Sequence, residues 1–364
     1  MANIAKGKKA LLAKLLNKLF YLGRKRKPVI ALEACTAFHF EHFKPVLKYF
    51  AQHPDLEIVI FTPEKPDEGF EFSNISYFSS LENYPLYKSF DIFISTELNK
   101  IPYWLTCTSI YFVHGMGPKL NYVANEGLLS YDYVFSPSKP TSDIQTQYLG
   151  DSSVFQIGMP ILDNREQNIN LVDKFPIDKN KATIVYAPSW CMDIEKISNI
   201  EKILEHLSAL TQFNIIISPH PMLLNPQRCN NKIYFKNIKL VSHMLFNKPD
   251  SGVTTLDIVK SSQIVLSDIS SIMFEAMALG KKVCFDGNKA IYEFSEAIDI
   301  YNDLLKISPP PNWEDKNDQT ICQLMSNDEL FNAQQCYINN YLFNNGNAGK
   351  IFVEQTIRLL NSVK

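Results

Sequence analysis

The sequence predicts an α/β protein of two doubly wound domains, each built on a mainly parallel sheet. Its 364 residues are long for one domain and suit two of about 150 residues each. From residue 28 onward, short apolar runs alternate with stretches of helical periodicity, which is the pattern of strand–helix–strand units. The alternation stops in one polar stretch and then starts again, and that interruption divides the chain.

PVIALEA (28–34) reads as the first strand, HFKPVLKYF (42–50) as the helix after it, and LEIVIFT (56–62) as the next strand. FDIFIST (90–96), SIYFVHG (109–115), YDYVFSP (131–137) and SVFQIGM (153–159) continue the series. Between 163 and 181 the polar DNREQNINLVDKFPIDKNK, with Pro176 and no clear period, marks the boundary. ATIVYAPSW (182–190) restarts the pattern, followed by a helix near 197–210 and the runs FNIIISPHP (213–221), IKLVSHM (238–244) and SQIVLSD (262–268). A helix from Ser271 to Leu279 then stops at Gly280, a capping residue, and VCFD (283–286) forms a further strand. The expected organisation is a basic amphipathic helix over 1–27, a first domain over 28–165 and a second over 166–364.

Composition narrows the class. Hydrophobic residues at 46% and charged residues at 20% exclude wholesale disorder. The seven cysteines are scattered, odd in number and form no CxxC pair, which argues against a disulfide framework and a zinc site and for a reducing compartment. The net charge of -2 conceals an asymmetry: residues 1–32 hold nine Lys/Arg and no acid, leaving 27 bases against 38 acids in the rest. An acidic body with its basic residues in one terminal segment does not suit nucleic-acid binding. In that segment Leu11, Leu12, Leu15, Leu16, Leu19 and Phe20 form a helical stripe that excludes Lys14 and Lys18. Lysines interrupt every candidate signal-peptide core, and no run reaches the roughly 18 apolar residues of a spanning helix. Attachment to an anionic membrane surface is one reading of this helix, and packing on its own domain with a solvated lysine face is the other.

In open parallel sheets, ligands bind beyond the carboxyl ends of the strands, so polar residues directly after apolar runs are the informative ones. Four places qualify: His114-Gly115, Ser189-Trp190, His220-Pro221, and Ser267 with Asp268, Ser270 and Ser271. His39, His42, His53, His206 and His243 lack that placement and take a structural reading. A helix that begins at Ser270 or Ser271 leaves its first N–H groups unpaired at the positive end of the dipole, an anion site to which two hydroxyls add donors. Glu275, one turn deeper, stands where a carboxylate accepts hydrogen bonds from a ribose diol. An ordinary capped helix with Glu275 in solvent is the competing reading.

The motifs in order are HGxxxK at His114–Lys119, GxPxxD at Gly158–Asp163, YAPSW at Tyr186–Trp190, PHP at Pro219–Pro221 and SDxSSxMFExxxLGKxV at Ser267–Val283. As a set they resemble the CDP-glycerol glycerophosphotransferase family, which builds teichoic-acid and capsule polymers, over residues 110–286. The resemblance implies a GT-B-like architecture, two Rossmann-like domains facing a central cleft, with no cofactor and no essential metal. It implies His114 as the base, Gly115 and Lys119 on the acceptor side, and His220 at the donor pyrophosphate. Ser189, Trp190, Pro221, Ser267, Asp268, Ser270 and Ser271 then belong to the donor site, with Glu275 near the ribose. It also implies a CDP-alditol donor, a lipid-linked glycan acceptor and a peripheral place on the cytoplasmic face of the membrane. The chain departs from the family at HGMGPK, where HGTPLK is common, and at Cys191, where an Arg often follows YAPxW. A nucleotide-sugar donor in the same envelope pathway, and a non-catalytic nucleotide-binding assembly protein, therefore stay open as alternatives.

Overall fold

The computed structural model describes residues 26–63, 71–81, 84, 90–98, 101, 105, 107–117, 123–163, 169–190, 199–225, 235, 240–248, 251–315 and 318–362. The expected N-terminal helix lies almost entirely outside them, as do Lys119 and Cys191. The chain separates into two compact units. The first comprises the chain up to Gly115, Tyr122–Asn164 and Tyr341 onward, and the second comprises Met116–Asn121 and Arg165–Asn340.

Among the described residues, the first unit holds strands β1 (Val29–Glu33), β2 (Glu57–Phe61), β3 (Ile75–Phe78), β4 (Ile92–Ser95), β5 (Thr108–Phe112), β6 (Tyr133–Ser136) and β7 (Val154–Gln156). They pair throughout in parallel, in the order β3-β2-β1-β4-β5-β6-β7. The contiguous apolar runs follow from burial on both faces. Ile30 and Leu32 of β1 pack into the core that holds Phe43, Val46, Leu47 and Phe50 of helix α1 (Ala37–Phe50). The alternate residues Val29 and Ala31 meet Phe61, Tyr84, Phe90 and Phe93 on the opposite face. Helix α2 (Lys139–Leu149) follows β6. Strand order reverses between β1 and β4, which puts the ligand crevice of this unit beyond their carboxyl ends.

The second unit holds β8 (Thr183–Ala187), β9 (Asn214–Ile217), β10 (Met244–Phe246), β11 (Ile264–Ser267) and β12 (Lys282–Phe285), parallel in the order β10-β9-β8-β11-β12. Its switch point is between β8 and β11. Its helices are α3 (Leu171–Lys174), α4 (Ile200–Ala209), α5 (Thr255–Lys260), α6 (Ser271–Ala278), α7 (Lys289–Phe294), α8 (Ile298–Ile307), α9 (Thr320–Ser326) and α10 (Asp328–Tyr341). Ile203 and Leu207 of α4 pack on Ile184, Ile215, Ile217 and Leu266 of the sheet. Among the described residues no helix is long and apolar enough to cross a membrane.

Two expectations need correction. The described part of the run 238–244 is not a strand before its last residue: the strand begins at Met244, and Leu240 and Val241 are exposed. The second domain does not run to 364, because helix α11 (Ala348–Ser362) returns to the first unit and packs its Phe352, Val353, Leu359 and Leu360 into the α1 core.

That return accounts for the GxPxxD motif. Gly158 has φ 95°, and a Cβ there would lie 2.2 Å from the Phe343 carbonyl oxygen, so the residues leading into α11 can approach only a glycine. The Asp163 carboxylate accepts the N–H groups of Ala348 and Gly349 at 3.1 and 2.6 Å, capping the first turn of α11 where the helix dipole favours a negative charge.

The Phe352 ring, fully buried, sits 5.0 Å from those of Phe112 and Phe135 and 6.3 Å from those of Phe43 and Phe50. Phe352→Ala should therefore destabilise the first unit by about 3–5 kcal/mol, read as a fall in the urea midpoint. A shift within error of wild type would mean that α11 is not part of this core.

Candidate functional site

In the first unit the chemistry gathers beyond β1, β4 and β5. His114 follows β5, and its Nδ1 lies 2.8 Å from the carbonyl oxygen of Thr96, just past β4. A carbonyl only accepts, so Nδ1 carries the proton and Nε2 carries the lone pair. Burial holds the His114 pKa below the usual 6.5, and the Thr96 hydrogen bond opposes that shift in part. The ring is a neutral imidazole with a defined basic nitrogen.

Sequence reasoning gave His39 and His42 a structural role, yet α1 brings both to His114. The ring centroids lie 4.4 and 6.0 Å from it. Thr36 caps α1 by accepting the His39 N–H, which sets the start of the helix and so the direction of this face. Burial, with the neighbouring His114, pushes the His39 pKa down to about 4 and that of His42 well below 6.5. The His39 Nε2 lies 3.4 Å from a Glu97 carboxylate oxygen. Glu33, at the end of β1, accepts the Ser95 hydroxyl at 2.7 Å. Burial raises the pKa of both carboxyls, and Glu33 raises that of Glu97 further. The spacing of His39 and His42 on one helical face was the available signal, but their meeting with His114 is a long-range contact that no local pattern encodes.

Gly115 is where the first unit ends, since the following residues Met116–Asn121 group with the second. There the Gly117 N–H donates to the Ser271 hydroxyl at 3.1 Å. Ser271 is the first residue of α6, and Ser270 is its cap, accepting the Ile272 N–H. Ser270 thus performs the ordinary capping, whereas the Ser271 oxygen takes one donor and keeps its own proton to give.

Ser267 and Asp268 are not open to a ligand. The Ser267 hydroxyl, fully buried, donates to the Ala187 carbonyl at 2.6 Å. The Asp268 carboxylate accepts the Ser189 N–H at 3.0 and 3.1 Å, and its backbone carbonyl accepts the Tyr292 hydroxyl. These bonds fasten the ends of β8 and β11 at the switch point. The Ser189 hydroxyl beside them is buried with no hydrogen-bond partner among the described residues. Trp190 packs partly into the apolar core of this unit.

His220 is exposed after β9 and caps the short 3-10 turn Pro221–Leu224, its Nδ1 accepting the Met222 N–H at 3.2 Å. That bond places the proton of the neutral ring on Nε2. Glu275 is 9% exposed rather than solvated, and burial pushes its pKa up to about 7. Asp286, after β12, was not singled out in the sequence; burial and the charge of Asp268 hold its carboxyl well above the usual range. Among the described residues no group of three His, Cys, Asp or Glu side chains is placed to hold a metal ion.

Comparison with known proteins agrees with this architecture. A family model described as CDP-Glycerol:Poly(glycerophosphate) glycerophosphotransferase matches residues 119–350. The teichoic acid glycerol-phosphate primase of Bacillus subtilis (strain 168) is 25% identical over 164 residues, a match that spans 43% of this chain and 39% of the primase. The solved wall teichoic acid polymerase TagF superposes with a TM-score of 0.60 at 16% identity, over 99% of this chain and 97% of that one. S. aureus MnaA in complex with UDP gives a TM-score of 0.63 at 17% identity, over 92% and 97%. The expected α/β fold of two Rossmann-like units is therefore shown.

Glu275 offers a test of the site's electrostatics that needs no ligand. In the folded chain its carboxyl keeps a proton up to about pH 7, whereas the ordinary value is 4.5. Below 4.5 both states are protonated, and as the pH rises toward 7 the unfolded chain ionises while the folded chain does not, so stability falls. The loss, complete above pH 7, is about 3 kcal/mol. Glu275→Gln should remove it, making the variant gain on wild type in urea unfolding between acid pH and about pH 8. An equal difference at both ends would show that Glu275 is ionised and solvated.

Proposed function

Because the chain belongs to the CDP-glycerol:poly(glycerophosphate) glycerophosphotransferase family, we propose that it transfers glycerol phosphate, or a related alditol phosphate, from a CDP-linked donor to a hydroxyl of a lipid-linked glycan in teichoic-acid or capsule synthesis. The observation that carries this reading is the fixed tautomer of His114. Its Nε2 lone pair accepts the proton of the acceptor hydroxyl as that oxygen attacks the phosphorus bearing the alditol. A new phosphorus–oxygen bond forms, the bond to CMP breaks, and CMP departs with the electron pair and a developing negative charge. In this reading His220, the Ser271 hydroxyl and the N–H groups at the start of α6 offset that charge, and Glu275 accepts from the ribose.

The decisive assay incubates the purified protein with CDP-glycerol and a lipid-linked acceptor and follows CMP release. Release of UDP from a nucleotide sugar instead would assign the protein to sugar transfer. His114→Ala should lower kcat/KM by about two to four orders of magnitude while leaving donor affinity unchanged. Because burial lowers the His114 pKa, the base remains unprotonated below pH 6.5 and the acid limb of the wild-type profile should fall below that value. A variant that keeps most of its rate, or an acid limb above 6.5, would remove His114 from the mechanism.

We also propose that residues 1–27 hold the protein on anionic lipid at the cytoplasmic face. Each Lys or Arg near such a surface contributes roughly 1 kcal/mol, screened by salt. Sedimentation with anionic liposomes should accordingly fade as salt rises and be absent with neutral ones. Equal binding to both would refute surface attachment.

A further inference from the structure

The carbonyl that orients His114 belongs to a peptide group whose other end is also held. In the peptide between Thr96 and Glu97, the Thr96 oxygen accepts from the His114 Nδ1 at 2.8 Å, and the Glu97 N–H donates to the Ser95 hydroxyl oxygen at 3.2 Å. In a planar trans peptide those two groups point in opposite directions. Ser95, fully buried, gives its own proton to a Glu33 carboxylate oxygen at 2.7 Å. The next acceptor in reach of that hydroxyl, the Glu97 carbonyl, is at 3.4 Å and already takes the Tyr131 hydroxyl. Donors and acceptors therefore alternate without a gap from the imidazole to a carboxyl: His114 Nδ1–H, Thr96 C=O, Glu97 N–H, Ser95 O–H, Glu33.

The same peptide is fixed from its amino side. The Thr96 N–H and hydroxyl both donate to the Glu33 carbonyl at 3.3 Å, tying the end of β4 to the end of β1. Hydrogen bonds in series polarise one another, so negative charge on Glu33 draws the Ser95 proton toward it and makes the Ser95 oxygen a better acceptor for the Glu97 N–H. Electron density on the Thr96 oxygen rises in turn. That oxygen then holds the Nδ1 proton more strongly and stabilises the imidazolium formed when Nε2 takes a proton. Burial raises the Glu33 pKa, and the Ser95 hydroxyl opposes it in part, as a donor to the ionised form must. The Glu33 charge also reaches Cys35, Glu97 and Tyr131, raising the pKa of each beside the larger effect of burial. His39 and His42, whose rings stand against His114, are held neutral by burial.

We infer that Ser95 and Glu33 are positioning residues for His114, acting through the 96–97 peptide to hold its proton on Nδ1 and to strengthen its Nε2 as a base. The inference rests on the proposed role of His114 as the base and adds the groups that make it one. A carboxylate is commonly placed directly against a catalytic imidazole; here a serine and a peptide group stand between the two. No proton leaves Glu33 or Ser95 in the step. The proton of the acceptor hydroxyl goes to the His114 Nε2, and each hydrogen bond of the chain strengthens in place.

Heteronuclear NMR of the full chain with labelled histidine reads the His114 tautomer and its titration without any substrate, the signal being assigned by its absence from His114→Ala. Glu33→Gln, which keeps an acceptor for Ser95 but removes the charge, should lower the His114 titration midpoint and retain the Nδ1-protonated tautomer. Ser95→Ala should lower the midpoint and let the Nε2-protonated form appear. The double variant should fall no lower than Ser95→Ala alone, because the serine carries the connection, whereas charge acting directly through space would make the two effects add. In CMP release each single variant should lose on the order of ten-fold in kcat with KM little changed. Thermal melts verify that each variant is folded. A midpoint that either single substitution leaves in place, or effects of the two that add, would overturn the inference. An imidazole that responds as expected in a protein whose rate survives His114→Ala would overturn the role of His114 as base alone. A rate that depends on His114 while its imidazole ignores both substitutions would overturn this inference alone.

Discussion

Desolvation at the carboxyl ends of buried parallel strands governs both units. Each strand runs through an apolar layer and emerges with a polar side chain that must leave water without leaving the core's edge. Glu33, Ser95, His114, Ser267 and Asp286 all stand at such exits. An ionised group there forfeits hydration, so acids are pushed up and imidazoles down unless a partner intervenes. The same effect that makes His114 a neutral acceptor of protons makes Glu275 a reluctant anion. Both units thus obtain their chemistry from one physical source, and the partners within hydrogen-bond reach decide what each residue does with it.

Those partners divide the strand-end residues into two groups. Ser267 and Asp268 turn inward and bind the ends of β8 and β11 to each other, which fixes the loop carrying Ser189 and the start of α6. Ser189 and Ser271 keep a proton to donate. In the first unit Thr96 plays the fastening part, orienting His114 through a carbonyl that any residue type would supply. A strand-end rule cannot separate fasteners from donors, because both are short polar residues at the same kind of position.

The fold was legible where order along the chain is local. Runs such as VIALE, EIVIF and TIVYA are strands because they are buried on both faces, and their order alone announces a doubly wound sheet. What escaped was either half-exposed or long-range. The edge strand ISYF is only partly buried along its length and carries a weak apolar signal. The return of α11 depends on Asp163 meeting an N-terminus 185 residues away, and the histidine cluster depends on α1 crossing the end of β5. His39 and His42 are indistinguishable in sequence from histidines that merely fill a helix. His206 shows why the structural reading was reasonable, being such a histidine, buried edge-on against Trp313.

The departure at HGMGPK is the point where sequence and structure inform each other most directly. The common family form places a proline where this chain has Gly117. Proline has no N–H to donate to Ser271, and any Cβ at this position would lie 2.9 Å from the Ser271 hydroxyl oxygen and 3.1 Å from its amide nitrogen. Glycine removes the clash and supplies the donor at once. With its oxygen already accepting from Gly117, Ser271 is left to act through its proton, which is the role that an incoming phosphate demands of a serine at a helix start. The glycine that sets this chain apart from the pattern thus leaves Ser271 its proton to give, since the Gly117 N–H helps decide which way the first hydroxyl of α6 points.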